Sequence, residues 1–252
     1  MYNSLPARKI ITMPNSITTG RNHVAEIKRT LHLAAPVMIG QLAVFSMNFV
    51  DTVMSGRLPN KDVALAALGI GGALWSAQLM FILGVLMAVQ PSVAQLDGAG
   101  LKTEAGAYTR QVFWVAIAFA IPFWFVCYFS EPFLNVFSID PLIVPTSASY
   151  LRAMSWGTPA LCLTFLLRFF SEGSGHTRLT MLYGVLGALL NIPLNYVLMF
   201  GKLGFPALGT VGCGIASAIV MWASILMLLG YIMFHSHFRE FRLFSRFDWP
   251  DS

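Results

Sequence analysis

Six stretches of this chain stay apolar for long enough to cross a bilayer, and that one property leaves few folds open. They run at about Leu31–Ser55, Val63–Gln95, Gln111–Phe129, Tyr150–Phe170, Leu179–Phe200 and Leu208–Phe234. In hydrocarbon every backbone N–H and C=O has to be satisfied within the protein, so runs of this length are read as helices. The expected fold is an all-α membrane protein of six transmembrane helices. Composition agrees: charged residues make up 11% of the chain, against about 25% in a soluble domain, and mean hydropathy is +0.68. Pro36, Pro91, Pro122, Pro159 and Pro193 fall inside the stretches. Each frees a carbonyl that a neighbouring helix or water has to satisfy, and several such kinks suit a bundle bent around a cavity.

The basic residues sort by side. With the N-terminus inside, twelve of the 16 Lys and Arg fall in cytoplasmic segments, and four (Arg57, Lys61, Arg152 and Lys202) fall outside. This positive-inside bias puts both termini in the cytoplasm. It also accounts for the sequence pI of about 9.3 without nucleic acid as a partner. Residues 1–30 are expected to form a cytoplasmic tail and 31–234 the bundle. Residues 235–252, where aromatic and basic residues alternate, are expected to be a second cytoplasmic tail lying against the bilayer. His235 and His237, two apart, do not share a helical face and are read as solvated. Leu96–Gly100 and Ser171–Arg178 are Gly-rich turns, and the connection Ser130–Ser149, with three prolines, is expected to carry a short interfacial segment.

Several chemistries are missing from the sequence. No G-x-x-x-x-G-K-[ST] occurs, so nucleotide hydrolysis has no phosphate loop. Cys127, Cys162 and Cys213 all lie in apolar runs and read as buried free thiols. Cys and His have no zinc spacing. Ser174 and His176 have no third partner to make a nucleophile. No enzyme activity and no cofactor are expected. Gly209, Gly212 and Gly214 lie on a span, where small residues let helices approach closely.

One feature costs the fold energy. Among the eleven acidic residues, Asp51 alone falls inside a predicted span. An ionisable side chain there costs about 3 kcal/mol on insertion scales. At about 100° per residue, Gln41, Phe45, Asn48, Thr52 and Ser55 form one stripe, with Asp51 at its edge. On the fifth span Gly184, Ala188, Asn191 and Asn195 share a face, and Ser217 adds a hydroxyl on the sixth. The functional reading is an ion site: Asp51 exchanges a proton, or holds sodium together with amide and carbonyl oxygens. The structural reading is that Asn191 and Asn195 hydrogen-bond across helices, typically for about 0.6–2 kcal/mol; the same holds for Gln41 and Asn48. Among the tryptophans, Trp156, next to Gly157 and Pro159, is the candidate for cation–π contact with an organic cation. The alternative is an interfacial anchor.

Phe49-Val50-Asp51-Thr52-Val53-Met54-Ser55-Gly56 resembles a signature of the MATE (multidrug and toxic compound extrusion) family. So do Gln95-Leu96-Asp97-Gly98-Ala99-Gly100 and Asn191-Ile192-Pro193-Leu194-Asn195-Tyr196. Gly201-Lys202-Leu203-Gly204-Phe205-Pro206-Ala207-Leu208-Gly209, followed by Val211-Gly212-Cys213-Gly214, is similar to its NorM-like branch. The resemblance implies one lobe of a twelve-helix transporter whose two six-helix lobes are related by pseudo-twofold symmetry. It implies export of organic cations and amphipathic drugs, in exchange for sodium or protons, by alternating access. It assigns the coupling ion to Asp51 and Asn191. Where this chain has Asn195, one branch has a second acid, so a proton relay within this lobe alone is not implied. The expected partner is a second six-helix lobe, or a second copy of the chain. Two alternatives stand beside this one: a non-transporting membrane remnant or scaffold, and a lipid-precursor flippase of the same superfamily, for which the chain lacks a basic residue in the cavity.

Overall fold

The computed structural model describes residues 23–241 and residue 243. The segment before residue 23 lies outside the described residues. So does most of the predicted tail, including Arg242, Phe244, Arg246, Phe247 and Trp249. The described residues form ten helices and no strand: α1 (His23–Ser55), α2 (Lys61–Leu86), α3 (Val89–Gly98), α4 (Lys102–Tyr128), α5 (Ser130–Val136), α6 (Val144–Ser155), α7 (Thr158–Gly173), α8 (Arg178–Phe200), α9 (Thr210–Phe234) and α10 (Ser236–Arg239). Five spans are long and apolar enough to cross a membrane, with α2 and α3 counted as one, and the bent pair α6–α7 makes the sixth. The turns at 99–101 and 174–177 and the residues after α9 mark one end of the bundle, here the tail end. The connections at 56–60, 129–143 and 201–209 mark the other, the loop end.

Proline explains where two spans break. Pro91 has no N–H to offer the Met87 carbonyl, and the chain passes from α2 to α3 at Met87–Ala88. Pro159 likewise frees the Ser155 carbonyl, and α6 and α7 meet at Trp156–Gly157 with a bend of 52°. Trp222 of α9 donates Nε1–H to the Trp156 carbonyl at 2.9 Å, so an acceptor released at the bend is satisfied by a neighbour. Pro122, by contrast, sits in a continuous α4. The third span begins nine residues before the expected Gln111, because Ala105, Gly106 and Thr109 are buried and extend the packed surface.

The helices pack as pairs: α1 on α8, α8 on α9, α9 on α6 and α7, α4 on α6 and α7, α3 on α7 and α2 on α6. The larger core cluster lies among α3, α4, α7 and α9, with Phe165, Phe169 and Phe170 at its centre. A second cluster, around Tyr150, Leu151, Met154, Met199 and Cys213, lies towards the loop end. Glycines set the tightest contacts. A Cβ on Gly184 of α8 would collide with the Gly40 carbonyl of α1, and one on Gly40 would come 2.6 Å from the Thr180 carbonyl. Gly212 and Gly214 seat α9 against the Leu198 and Tyr150 backbones in the same way.

The reading of the tail as lying against the bilayer, with His235 and His237 solvated, is corrected for residues 235–241. Phe238 and Phe241 are buried, pack on Phe170 at centroid distances of 5.8 and 5.2 Å, and join the larger core. The Phe241 backbone lies over Gly106, where any side chain would exclude it. His237 packs on the His176 ring at 4.1 Å, and His235 stacks on Tyr231 at 5.0 Å. Aromatic residues every third or fourth position therefore met protein rather than the bilayer surface. The connection expected to carry a short interfacial segment holds one short helix, α5.

Candidate functional site

Asp51 lies one turn before the loop end of α1, on the side that faces α8. It is 7% exposed, and Asn191 and Asn195 are fully buried. The two asparagines, four apart, project from the same face of α8. Asn195 donates its side-chain amide to Asp51 Oδ1 and also to Asn191 Oδ1 at 3.0 Å. Cys213 of α9 lies beside the carboxylate, and Tyr150 of α6 is close enough to feel its charge. Gly184 makes this possible, because only a bare backbone there lets α1 and α8 come together.

No Lys or Arg forms an ion pair with Asp51 among the described residues; the two pairs there are Lys102–Glu240 and Arg168–Glu172. Asn195 Oδ1, Asn191 Nδ2 and Ser55 Oγ are buried without a hydrogen-bond partner. The site thus holds a carboxylate, an amide oxygen already engaged and an amide oxygen still open, all hard oxygen donors of the kind alkali and alkaline-earth cations take. With Asp51 protonated, the same pocket has a hydroxyl to donate to one of those oxygens.

The predicted stripe on α1 does not line this pocket. Ser55 is buried beside it, but Gln41, Asn48 and Thr52 are exposed on the adjoining flank, about 60–100° round the helix from Asp51, interleaved with Phe45 and Phe49, each 70% exposed. Thr52 Oγ1 satisfies itself on the Asn48 carbonyl at 2.9 Å. Ser217 is buried on α9, one turn beyond Cys213. Trp156 stands apart from the Asp51 pocket. It is 61% exposed and lines a groove between α6 and α9 with Arg152, Ile215, Ile219 and Trp222, to which no candidate ion-site residue contributes.

Sequence reasoning missed a second buried acid. Glu172 falls in the last turn of α7, inside the fourth span in chain order, α6–α7. Arg168 Nε donates to it at 2.9 Å and Thr180 Oγ1 at 2.7 Å. The signal was present as an Arg-x-x-x-Glu spacing, which places the two side chains on one helical face. The predicted end of the span at Phe170 hid it. Gln78, which accepts from the Cys127 thiol at 3.4 Å, had no such signal.

Comparison with known proteins agrees with this fold. The MatE family model matches residues 36–197, which include Asp51, Asn191 and Asn195. Multidrug resistance protein PmpM of Pseudomonas aeruginosa is 40% identical over 232 residues, covering 90% of this chain and 47% of that protein. Multidrug resistance protein MdtK of Yersinia pestis is 36% identical, covering 92% and 50%. The crystal structure of a MATE protein in complex with MaD3S superimposes with a TM-score of 0.78 at 21% identity, covering 89% of this chain and 49% of that one. The eukaryotic MATE transporter AtDTX14 gives 0.75 at 17% identity, covering 87% and 48%. The chain spans about half the length of the curated relatives it matches. A family model that covers most of the spans, and relatives at this identity, place the six-helix bundle in one family of membrane transporters, not of enzymes: the chain belongs to the MatE family.

Proposed function

We propose that this chain forms one half of a cation-coupled multidrug exporter, and that Asp51 takes up and releases the coupling ion. The observation that carries this reading is a buried carboxylate held by amides and by no positive charge. A structural acid in a membrane pairs with a cation, as Glu172 does with Arg168; Asp51 is left to pair with something that comes and goes. Sodium would bind through Asp51 with Asn191 and Asn195 oxygens, and a proton would bind on the carboxylate itself. By the positive-inside rule the tail end faces the cytoplasm of the bacterial inner membrane and the loop end faces outside. Asp51 then lies in the outer half.

The face of α1 that carries Gln41, Asn48 and Thr52 is polar for a lipid contact. A second six-helix lobe, or a second copy of the chain, would cover it and enclose a path for organic cations, with Phe45 and Phe49 offering ring faces. The half-length match to relatives named as multidrug resistance proteins supports this. Energy-dependent ethidium efflux tests it, in cells making this chain alone or the chain joined to the second half of a relative. Efflux is expected from the joined protein, weak or absent from the chain alone, and lost on Asp51→Asn. Strong efflux by the chain alone overturns the half-transporter reading. Efflux that survives Asp51→Asn overturns the coupling role.

A further inference from the structure

The groove between α6 and α9 is separate from the ion pocket and has its own chemistry. It encloses about 590 Å³ in the loop-end half of the bilayer, and its walls are apolar: Ala153, Trp156, Val211, Ile215, Ile219 and Trp222. Arg152 is the charged residue among those that line it. Its Nε–H donates to the Tyr128 carbonyl at 3.4 Å, and its guanidinium lies over the Tyr128 ring at 5.2 Å. No carboxylate among the described residues pairs with it, and its two η nitrogens make no hydrogen bond to the described residues. A guanidinium has five donors in a fork that matches phosphate oxygens. The aromatics around it are fixed in place: Trp124 stacks on Tyr128 at 4.8 Å and meets Trp156 edge-on at 5.9 Å, and Trp222 is tied to the Trp156 carbonyl.

A groove at this depth faces acyl chains, and an unpaired guanidinium above it draws an anion from the headgroup layer. We propose that the groove is a binding site for one anionic phospholipid. Its phosphodiester sits on the Arg152 η nitrogens, and one acyl chain lies along Trp156, Ile215, Ile219 and Trp222. The site ends at Trp156, on the α6 side of the 52° bend between α6 and α7, so a lipid held there packs α6 and the start of the bend against α9.

The test reconstitutes the full chain in nanodiscs of phosphatidylglycerol or of phosphatidylcholine and counts retained lipid by native mass spectrometry. One phosphatidylglycerol per chain is expected to survive release, with phosphatidylcholine retained at least tenfold less. Arg152→Gln is expected to lose the preference by about tenfold, and Lys202→Gln, at the same end of the bundle, to keep it. Ile219→Trp fills the groove, leaves the charge in place and is expected to lose the lipid as well. It keeps the proposal testable if Arg152→Gln fails to fold. Equal retention of the two lipids, wild-type retention in Ile219→Trp, or a chain dimer that Arg152→Gln dissolves would overturn the proposal.

Discussion

Asn195 of α8 uses one amide nitrogen for two acceptors, Asp51 Oδ1 across the helix interface and Asn191 Oδ1 on its own helix. The carboxylate of α1 is therefore held by a donor that is itself oriented from one turn away. Changing either partner should have distinct consequences. Asp51→Asn keeps the shape and removes the buried charge, so the bundle should unfold at the same or a higher temperature. Any stabilisation by sodium over choline should disappear. Asn195→Ala leaves the carboxylate without its donor and should cost about 1–3 kcal/mol. Thermal unfolding with and without sodium chloride checks both; a more stable Asn195→Ala than Asp51→Asn would contradict the arrangement.

Glycines at the α1–α8 seam and on α2 should respond in opposite directions. Gly40→Ala puts a methyl 2.6 Å from the Thr180 carbonyl, and Gly184→Ala drives one into Gly40. Overpacking of this kind typically costs about 1–3 kcal/mol, read as a lower unfolding temperature and loss of the monodisperse peak on size exclusion. Gly69→Ala and Gly72→Ala meet nothing within 4 Å and should gain about 0.5–1 kcal/mol through helix propensity alone.

Arg168 and Glu172 should depend on each other. Both side chains are less than a tenth exposed, so Glu172→Gln or Arg168→Gln alone strands a charge and should cost about 3–5 kcal/mol. The double change Arg168→Met, Glu172→Leu removes both charges and should recover most of that loss. Denaturation of the three variants beside the wild type checks this; equal losses in the single and double variants would show that the pair does not act as one unit.

Packing of residues 235–241 should weaken in acid. Burial, and then His176 and Lys102 nearby, hold the His237 pKa below its ordinary value of 6.5, so the packed state favours the neutral ring. Its contribution is present above about pH 6.5 and is lost as pH falls through the lowered value. The Lys102 ammonium, 2.5 Å away, holds the Glu240 carboxyl low in the same way, and that contribution fades further into acid. Protection factors for backbone amide exchange at Phe238 and Phe241, each taken against the intrinsic exchange rate at the same pH, should fall as pH drops from about 7.5 to about 5.5. His237→Asn should flatten the change.

The spans and the shared face of Asn191 and Asn195 were legible because each rests on local arithmetic. Length gives a crossing, and a spacing of four gives a shared face. Which face meets protein was not legible. In a soluble helix polarity points to water, but on α1 the polar stripe of Gln41, Asn48 and Thr52 turned outward, while Asp51 at its edge turned in. Periodicity groups these residues without saying what lies opposite. The bend at Trp156–Gly157 was announced by Pro159, whereas the Trp222 side chain of α9 that bonds the Trp156 carbonyl there was not. Glu172 was lost to a span end placed too early, and Phe238 and Phe241 to a pattern that suits a membrane surface equally well.

The glycine contact between α1 and α8 limits how an ion could reach Asp51. Gly40 and Asp51 are eleven residues apart, about 16 Å along the helix. With two backbones touching at residues 40 and 184, neither helix can slide past the other by a residue without driving a side chain into a carbonyl. The acid and its amide donors therefore travel as one rigid spar. If Asp51 takes up the proposed coupling ion, exposure to one side of the membrane and then the other has to come from what moves around that spar: α6, which carries Tyr150 beside the pocket, and α9, which carries Cys213.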